Sequence, residues 1–311
     1  MFVFEREQYI YDIAGIRVGG NFGENPTVLI GSIFYGGHKI IEDVRKGTFD
    51  KNAAESLISQ QDEMSEVTGN PSAIQVCFQT KEAAERLIEF VSDKTDSPIV
   101  IDSTEAVARL GGLIYSEEVG LLDRIIYSSL NISVTQEEKT TLKEIGQECL
   151  IVLAFNPEDP SIAGRRRVLD EGAMTLEKGL LPLSNELGVT KPLIDSAMTT
   201  MGAGAGSAAA FTFVSKSVYG HPTGLGIHNA PSSWTWLRNY RKSNRDAFVM
   251  CDIGSNVVAH MMGADYILYG PIKNANLVFP LIAMTDMLAA ESASIEFGIE
   301  TSANHPYKKL L

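Results

Sequence analysis

Cysteine is scarce in this chain. Its 311 residues hold three, Cys77, Cys149 and Cys251. They lie far apart and form no C-x-x-C pair, which argues against a disulfide framework and for reduced thiols. Histidine is nearly as rare, with five residues and no H-E-x-x-H or Cys/His spacing, so no metal site is expected. No G-x-S-x-G elbow occurs, which removes the usual serine-hydrolase reading. Positive charge is in the minority: 26 Lys and Arg stand against 39 Asp and Glu, a formal net charge of −13. Such a surface repels phosphate backbones, so no nucleic-acid partner is expected. The short basic run "GRRR" at Gly164–Arg167 reads as a solvated loop. Also missing are an apolar signal core near the N-terminus and any unbroken apolar span of about 18 residues. The expectation is a cytoplasmic protein without a membrane span.

What is present is a core. Apolar residues make up 44% of the chain and charged residues 21%, enough to bury a large interior. Eight β-branched or aromatic runs recur along it: "TVLIGSIFY", "AIQVCFQT", "PIVIDST", "RIIYSSLN", "LIVLAFNP", "PLIDSAM", "GLGIHNA" and "YILYGPI". Their apolar stretches are nearly continuous, as in parallel strands covered on both faces. Helical patterns lie between them. In "KEAAERLIEFVSDKTD" the residues Ala84, Leu87, Ile88 and Val91 share a face, and in "MTLEKGLLPLSNELGV" so do Leu176, Leu180, Leu183 and Leu187. The last apolar segment is expected to be helical after Pro280. Eight βα units in about 250 residues predict a (β/α)8 barrel, an α/β fold of the TIM type; a doubly wound sheet is the rival. Residues 1–26 are expected to add a hairpin across the bottom of the barrel, and residues 1–311 to form one domain.

The stretch "GAGAGSA" places Gly202, Gly204 and Gly206 after the sixth run. A dinucleotide fingerprint needs G-x-G-x-x-G at the first strand and an acidic residue about 20 positions on. Neither condition is met. Two readings remain: a tight βα turn, or a backbone kept low so that a flat ligand can approach. The C-terminal ends of the runs, where barrel chemistry sits, carry Gln79, Asp102, Ser128, Asn131, Asn156, Asp195 and His228-Asn229. These amides and carboxylates suit a flat heterocycle with many N–H and C=O groups, such as a pterin. Bland readings stand beside this one. Asp102 also reads as a helix cap, Asn131 and Asn156 as turn residues, and His228 as a structural histidine.

In order along nearly the whole chain run "PTVLIGSIFYGGHKIIED", "TGNP", "IDST", "AFNPEDPS", "KGLLPL", "PLIDSA", "GAGAGSA", "GIHNAPSSW" and "ILYGPI". This set resembles the H-subunit family of tetrahydromethanopterin S-methyltransferase and its relatives, a branch of the pterin-binding methyltransferases that act with corrinoid proteins. The resemblance implies a (β/α)8 barrel, usually a homodimer. It implies methyl transfer between N5 of a reduced pterin and the cobalt of a corrinoid carried by a partner protein. By the same resemblance Asp102 and Asp195 hold the pterin edge and Asn229 lies near N5, so that Asn229 and Asp195 are the catalytic candidates. Ser128, Asn131, Asn156 and Gly204 complete the binding set. Relatives carry an "N-S" pair at the fourth strand, where this chain has Ser128-Ser129; Asn131 or a water on Ser128 is the expected substitute. The chain lacks a D-x-H-x-x-G cobalamin motif, so the corrinoid is expected on the partner. The Ser128 departure and the absence of a membrane anchor favour tetrahydrofolate as the pterin. The alternatives are the tetrahydromethanopterin-using H subunit of the methanogen complex and a non-catalytic binding subunit. A pteroate-synthase-like enzyme is disfavoured because "GLGIHNAPS" offers no lysine. The apolar segment Leu277–Met287 is either an interface element or outer-ring packing.

Overall fold

The computed structural model describes residues 2–311. Eight parallel strands close into a barrel. They are β1 (Val28–Ile33), β2 (Ser72–Cys77), β3 (Ile99–Asp102), β4 (Ile125–Leu130), β5 (Cys149–Leu153), β6 (Lys191–Asp195), β7 (Thr223–Leu225) and β8 (Tyr266–Pro271). Each of the eight runs in the sequence supplies one strand, and β8 pairs back onto β1. The helices that follow are α1 (Lys51–Thr68), α2 (Lys81–Ser92), α3 (Ala106–Glu118), α4 (Gln136–Ile145), α5 (Ile162–Asp170), α6 (Leu180–Glu186), α7 (Ala205–Tyr219), α8 (Asn229–Ser233), α9 (Thr235–Tyr240), α10 (Arg245–Met261), α11 (Ala275–Phe297) and α12 (Pro306–Lys309).

The near-continuous apolar runs follow from a two-sided demand. Alternate residues point to opposite faces of a strand. One set, including Ile74, Val76, Ile99, Ile101, Ile125, Tyr127, Leu150 and Val152, packs outward against the helices. The other set, Val28, Ile30, Ala73, Val100, Ile126, Ile151, Leu193, Tyr266 and Leu268, fills the barrel interior. Gly224 makes room there, because a Cβ on it would lie 2.5 Å from the Tyr266 ring. The Tyr266 hydroxyl crosses to donate to the Ile194 carbonyl at 2.9 Å.

An antiparallel hairpin, Ile10–Ile13 with Ile16–Gly19, turns at Ala14 and Gly15, both at positive φ, as a two-residue hairpin loop requires. Its Ile13 and Val18 pack onto the interior set at the N-terminal ends of the strands. The hairpin therefore seals the bottom of the barrel.

Three local expectations need correction. The predicted helix over the "MTLEKGLLPLSNELGV" segment exists only as α6, Leu180–Glu186. Proline lacks an N–H and is best tolerated in a first turn, so Pro182 sets where that helix begins and leaves Leu176 outside it. Conversely, α11 starts at Ala275 and runs through Pro280, at the cost of one hydrogen bond of its second turn. The "GRRR" run is no loop: it lies within α5, with Gly164 and Arg165 buried. Gly164 is required because a Cβ would meet the Asp159 carbonyl oxygen at 2.1 Å. Arg165 donates to the carbonyls of Pro160, Ser196 and Ala197, tying α5 to the segment after β6.

Helix α11 is long and apolar enough to cross a membrane by length and composition, and half of its most apolar window is buried in the fold. Its inner face, including Val278, Phe279, Ile282, Ala289 and Ala290, is buried. Asp286 pins it. That carboxylate accepts from Thr27 N (3.1 Å), Thr27 Oγ1 (2.9 Å) and Asn70 Nδ2 (2.6 Å), and pairs with His260 Nε2 at 2.9 Å.

A second buried pair joins three elements on the opposite side. Arg109 of α3 meets Glu138 of α4 at 2.5 Å, with side chains 6% and 0% exposed. The Tyr127 hydroxyl of β4 donates to the same carboxylate oxygen at 2.6 Å, and Glu138 also closes the capping box of α4 with Thr135. Replacing Glu138 by Gln strands the guanidinium without its counter-ion. The expected cost is about 3 kcal/mol, read as a lower thermal midpoint by calorimetry; an unchanged midpoint would show that Arg109 does not depend on this partner.

Candidate active site

The interior changes character at the C-terminal ends of the strands. Continuing the inward set by steps of two leads from Val28 and Ile30 to Ser32, from Ala73 to Gln75, from Val100 to Asp102, from Ile126 to Ser128, and from Leu193 to Asp195. β7 and β8 contribute Gly226 and Gly270, which carry no side chain. The result is a two-lobed cavity. One lobe, about 350 Å³, is lined by Ser32, Tyr35, Cys77 and His228. The other, about 280 Å³, is lined by Ser128, Leu153, Phe155, Asp195 and Met198. Gln75, Asp102, Gly226, Asn229 and Leu268 line both.

A polar chain fixes one side. Ser32 Oγ donates to Gln75 Oε1 at 2.5 Å, and Gln75 Nε2 donates to Asp102 Oδ2 at 3.1 Å. Ser128 Oγ donates to Asp102 Oδ1 at 3.1 Å. Each residue orients the next, and none of these bonds serves a helix cap. The cap reading of Asp102 therefore falls: α3 begins later, at Ala106, with no side-chain cap. Burial raises the Asp102 carboxyl above its ordinary range, against the pull of Ser128 and Arg109. Burial also pushes the Cys77 thiol well up, with Asp102 adding to the effect.

Asp195 ends β6. Its Oδ1 accepts from Ala197 N at 2.7 Å, while Oδ2 has no hydrogen-bond partner among the described residues. Burial is the main cause of a carboxyl pushed up to about 7; the Asp102 charge adds to it, and the Ala197 bond and Arg165 oppose it. Arg165 holds the Ser196 and Ala197 carbonyls, so the run first read as a solvated loop fixes the backbone that carries Asp195.

Asn229 opens α8 at the mouth. Its side-chain amide makes no hydrogen bond to any described residue, although its Nδ2 would be 3.3 Å from a Cβ on Gly226. His228, beside it, has Nδ1 at 2.6 Å from Asp252 Oδ1 of α10. Gly270 lies at φ +85°, and a Cβ there would meet the His228 ring at 2.5 Å. The strand must be glycine for the imidazole to lie where it does.

Four sequence candidates fall outside this cavity. Asn131 donates to the Ser129 carbonyl and accepts from the Ser133 N–H and hydroxyl; it is an Asx-turn residue, and no Asn131 contact replaces the missing fourth-strand amide. Asn156 is buried, donating to the Gly164 carbonyl and accepting from Glu158 N and Asp159 N, which consumes it in the turn before α5. Gly204 sits at φ +100°, where a Cβ would meet Pro160 at 2.7 Å. It is needed for the turn and for loop packing, and of the two readings of the glycine stretch only the tight turn survives. Gln79 is exposed beyond β2. Sequence reading missed Ser32, Gln75, Tyr35 and Cys77. The signal was parity: Cys77 pairs with Asp102 in the ladder, and Ser32 with Gln75.

Comparison with known proteins follows this geometry. Residues 6–302 match the family model of the tetrahydromethanopterin S-methyltransferase MtrH subunit. The H subunit of that enzyme from Methanothermobacter thermautotrophicus is 50% identical over 311 residues, covering all of both chains. The one from Methanocaldococcus jannaschii is 46% identical over 320 residues, again with both chains fully covered. The H subunit of a putative mtx methyltransferase of Methanosarcina mazei is 44% identical over the full length of both. Among solved structures, a dihydropteroate synthase of Xanthomonas albilineans aligns with TM-score 0.60 at 13% identity, over 90% of this chain and 98% of that one. A Coxiella burnetii dihydropteroate synthase in complex with pteroic acid aligns at TM-score 0.58 and 12% identity, over 90% and 100%. These likenesses at low identity establish the barrel. The sequence relatives establish the family, and this chain belongs to the H-subunit family of tetrahydromethanopterin S-methyltransferase, a family of methyltransferase subunits.

Proposed function

We propose that this chain transfers a methyl group between N5 of tetrahydromethanopterin and the cobalt of a corrinoid carried by a partner protein. The observation that carries the reading is a pair of carboxylates in one cavity, Asp195 buried and Asp102 half-buried, with Asp195 Oδ2 left unpartnered among the described residues. Burial without a full set of donors makes each carboxylate a strong acceptor for N–H groups. The aminopyrimidine edge of a pterin presents adjacent N–H donors, and Gln75 and Asp102 continue the acceptor line. Leu153, Phe155 and Met198 give the apolar wall that a flat ring needs.

The sequence pointed first to tetrahydrofolate. The full-length relatives at 46–50% identity bear the name of tetrahydromethanopterin, which supports the pterin weighed second. Ser128 does not argue otherwise, since its hydroxyl is spent on Asp102 and serves either pterin equally.

In the direction that unloads the pterin, the cobalt(I) electron pair attacks the methyl carbon. The C–N5 bond breaks, its electron pair stays on nitrogen, and N5 takes a proton; cobalt is formally oxidised by two electrons. The reverse direction returns each of these. The barrel's own contribution is to hold the ring so that N5 faces the open mouth, and to place the Asn229 amide there. An amide offers both a donor and an acceptor, so Asn229 serves N5 before and after it gains its proton. Positioning supplies most of the rate.

Three outcomes are expected. With methylcobalamin under anaerobic conditions, loss of the cobalt–carbon absorption should be faster with tetrahydromethanopterin than with tetrahydrofolate. Equal or reversed rates would sink the choice of pterin, and no turnover with either would sink the methyl transfer. Asn229→Ala should lower kcat by about 10²-fold with little change in KM, whereas Asp195→Ala should chiefly weaken pterin binding. The third outcome concerns pH. Because N–H donors need the ionised carboxylate, pterin affinity should fall about tenfold per pH unit below the Asp195 value near 7 and level off above it. In the free protein the sign is opposite. A carboxyl raised in the folded state contributes stability at low pH that is lost as pH rises from about 4 to about 7. Asp195→Asn should therefore raise the thermal midpoint at pH 8 while abolishing the pH dependence of binding, and titration calorimetry with scanning calorimetry checks both.

A further inference from the structure

From Ser196 to Arg245 the chain has no carboxylate, in a protein whose formal net charge is −13. Five cations occupy that span. Lys216 is buried against Asp265 at 2.7 Å. The other four, Arg238, Arg241, Lys242 and Arg245, are exposed, and none pairs with a carboxylate among the described residues. Arg238 reaches only the Thr235 hydroxyl, at 3.3 Å, and Arg241 lies over the Phe248 ring at 4.5 Å.

Aromatic surface adjoins this charge. The Trp234 and Trp236 rings lie 5.0 Å apart, and Trp236 stacks on Tyr240 at 5.0 Å with planes 17° apart. Trp236 is 56% exposed and Tyr240 40%. Exposed tryptophan, tyrosine and arginine together are the residue types that anchor protein interfaces. None of the four cations lines the two lobes of the cavity, so this charge lies outside the small-molecule pocket, where a protein face can reach it.

Its place decides the occupant. α8 and α9 form the connection from β7 to α10, and that connection starts at Gly226 and Asn229 on the cavity wall. The ledge therefore stands on the same face of the barrel as the mouth. A corrin is far wider than a pterin. For cobalt to come within bonding reach of a methyl group in the mouth, the protein around the corrin must rest on the loops that surround it. We propose that the ledge Trp234–Arg245 docks the corrinoid-carrying protein, which presents carboxylates beside its corrin. The proposal rests on the methyl-transfer reading above.

The test compares two methyl sources for one enzyme: free methylcobalamin, and the methylated cobalamin-carrying protein purified from the same organism. The triple variant R238E/R241E/K242E should lose about tenfold or more in kcat/KM with the carrier at low salt, and stay within about twofold of wild type with free methylcobalamin. Wild-type activity with the carrier should fall as salt rises, and that slope should flatten in the variant. Trp236→Ala should show the same split without a charge change. A variant that keeps its carrier kcat/KM, or that loses equally with both sources, overturns the ledge as docking site while methyl transfer by the wild type stands. Wild type inactive with both sources overturns the methyl-transfer reading, and the docking proposal with it.

Discussion

The structure depends on how a barrel of eight strands fills its own interior. Inward side chains must pack to near-crystalline density, and the lower layers do so mainly with valine, isoleucine and leucine, together with Ala73, Cys149 and Tyr266. At the C-terminal end that rule is suspended. Gly226 and Gly270 offer nothing to pack, and five of the other six strands offer polar groups. The opening is kept from collapse by a backbone that is itself braced: Arg165 grips the turn after β6, and Ser32, Gln75 and Ser128 hold Asp102 in one orientation. Two carboxylates with little counter-charge are the consequence. They burden the free protein, and a ligand bearing N–H donors would relieve them.

The support around this layer is graded. Arg109, Tyr127 and Glu138 lock the wall on the β4 side, and Asp286 with His260 and Asn70 locks the side of α11. Between β7 and α10, by contrast, the chain is laid out in short helices with exposed rings and unpaired cations. Buried ion pairs surround the cavity, and exposed rings and cations lie at its rim. Loops carried on a rigid scaffold commonly hold the residues that meet partners.

Much of this was legible in the sequence because a parallel barrel writes each strand as an apolar run. Asp102 and Asp195 stood out since each is the first polar residue to end such a run. Gln75 and Ser32 were hidden within theirs, where only counting by twos from an interior neighbour marks them as inward. Asn131 and Asn156 were polar residues at the right distance from a strand, but their amides are consumed by local turns, which spacing alone does not reveal. Gly204 looked like room for a ligand and is room for Pro160. The basic run misled for a related reason: burial of Arg165 depends on three carbonyls, two of them on another strand's connection. The choice between pterins rested on one serine and on the want of a membrane anchor, and the serine's hydroxyl turned out to belong to Asp102.

The hairpin at the bottom has a kinetic meaning. With Ile13 and Val18 wedged against the lower interior, the bottom of the barrel is filled and the cavity lies at the C-terminal ends of the strands. Whatever small molecule enters must use the face on which a macromolecule would sit. A carrier seated there as proposed would cork the well, and the pterin would then have to arrive before it and depart after it. With the carrier docked as proposed, turnover would follow a compulsory order, in which an excess of carrier would act as a brake by closing empty or product-filled barrels.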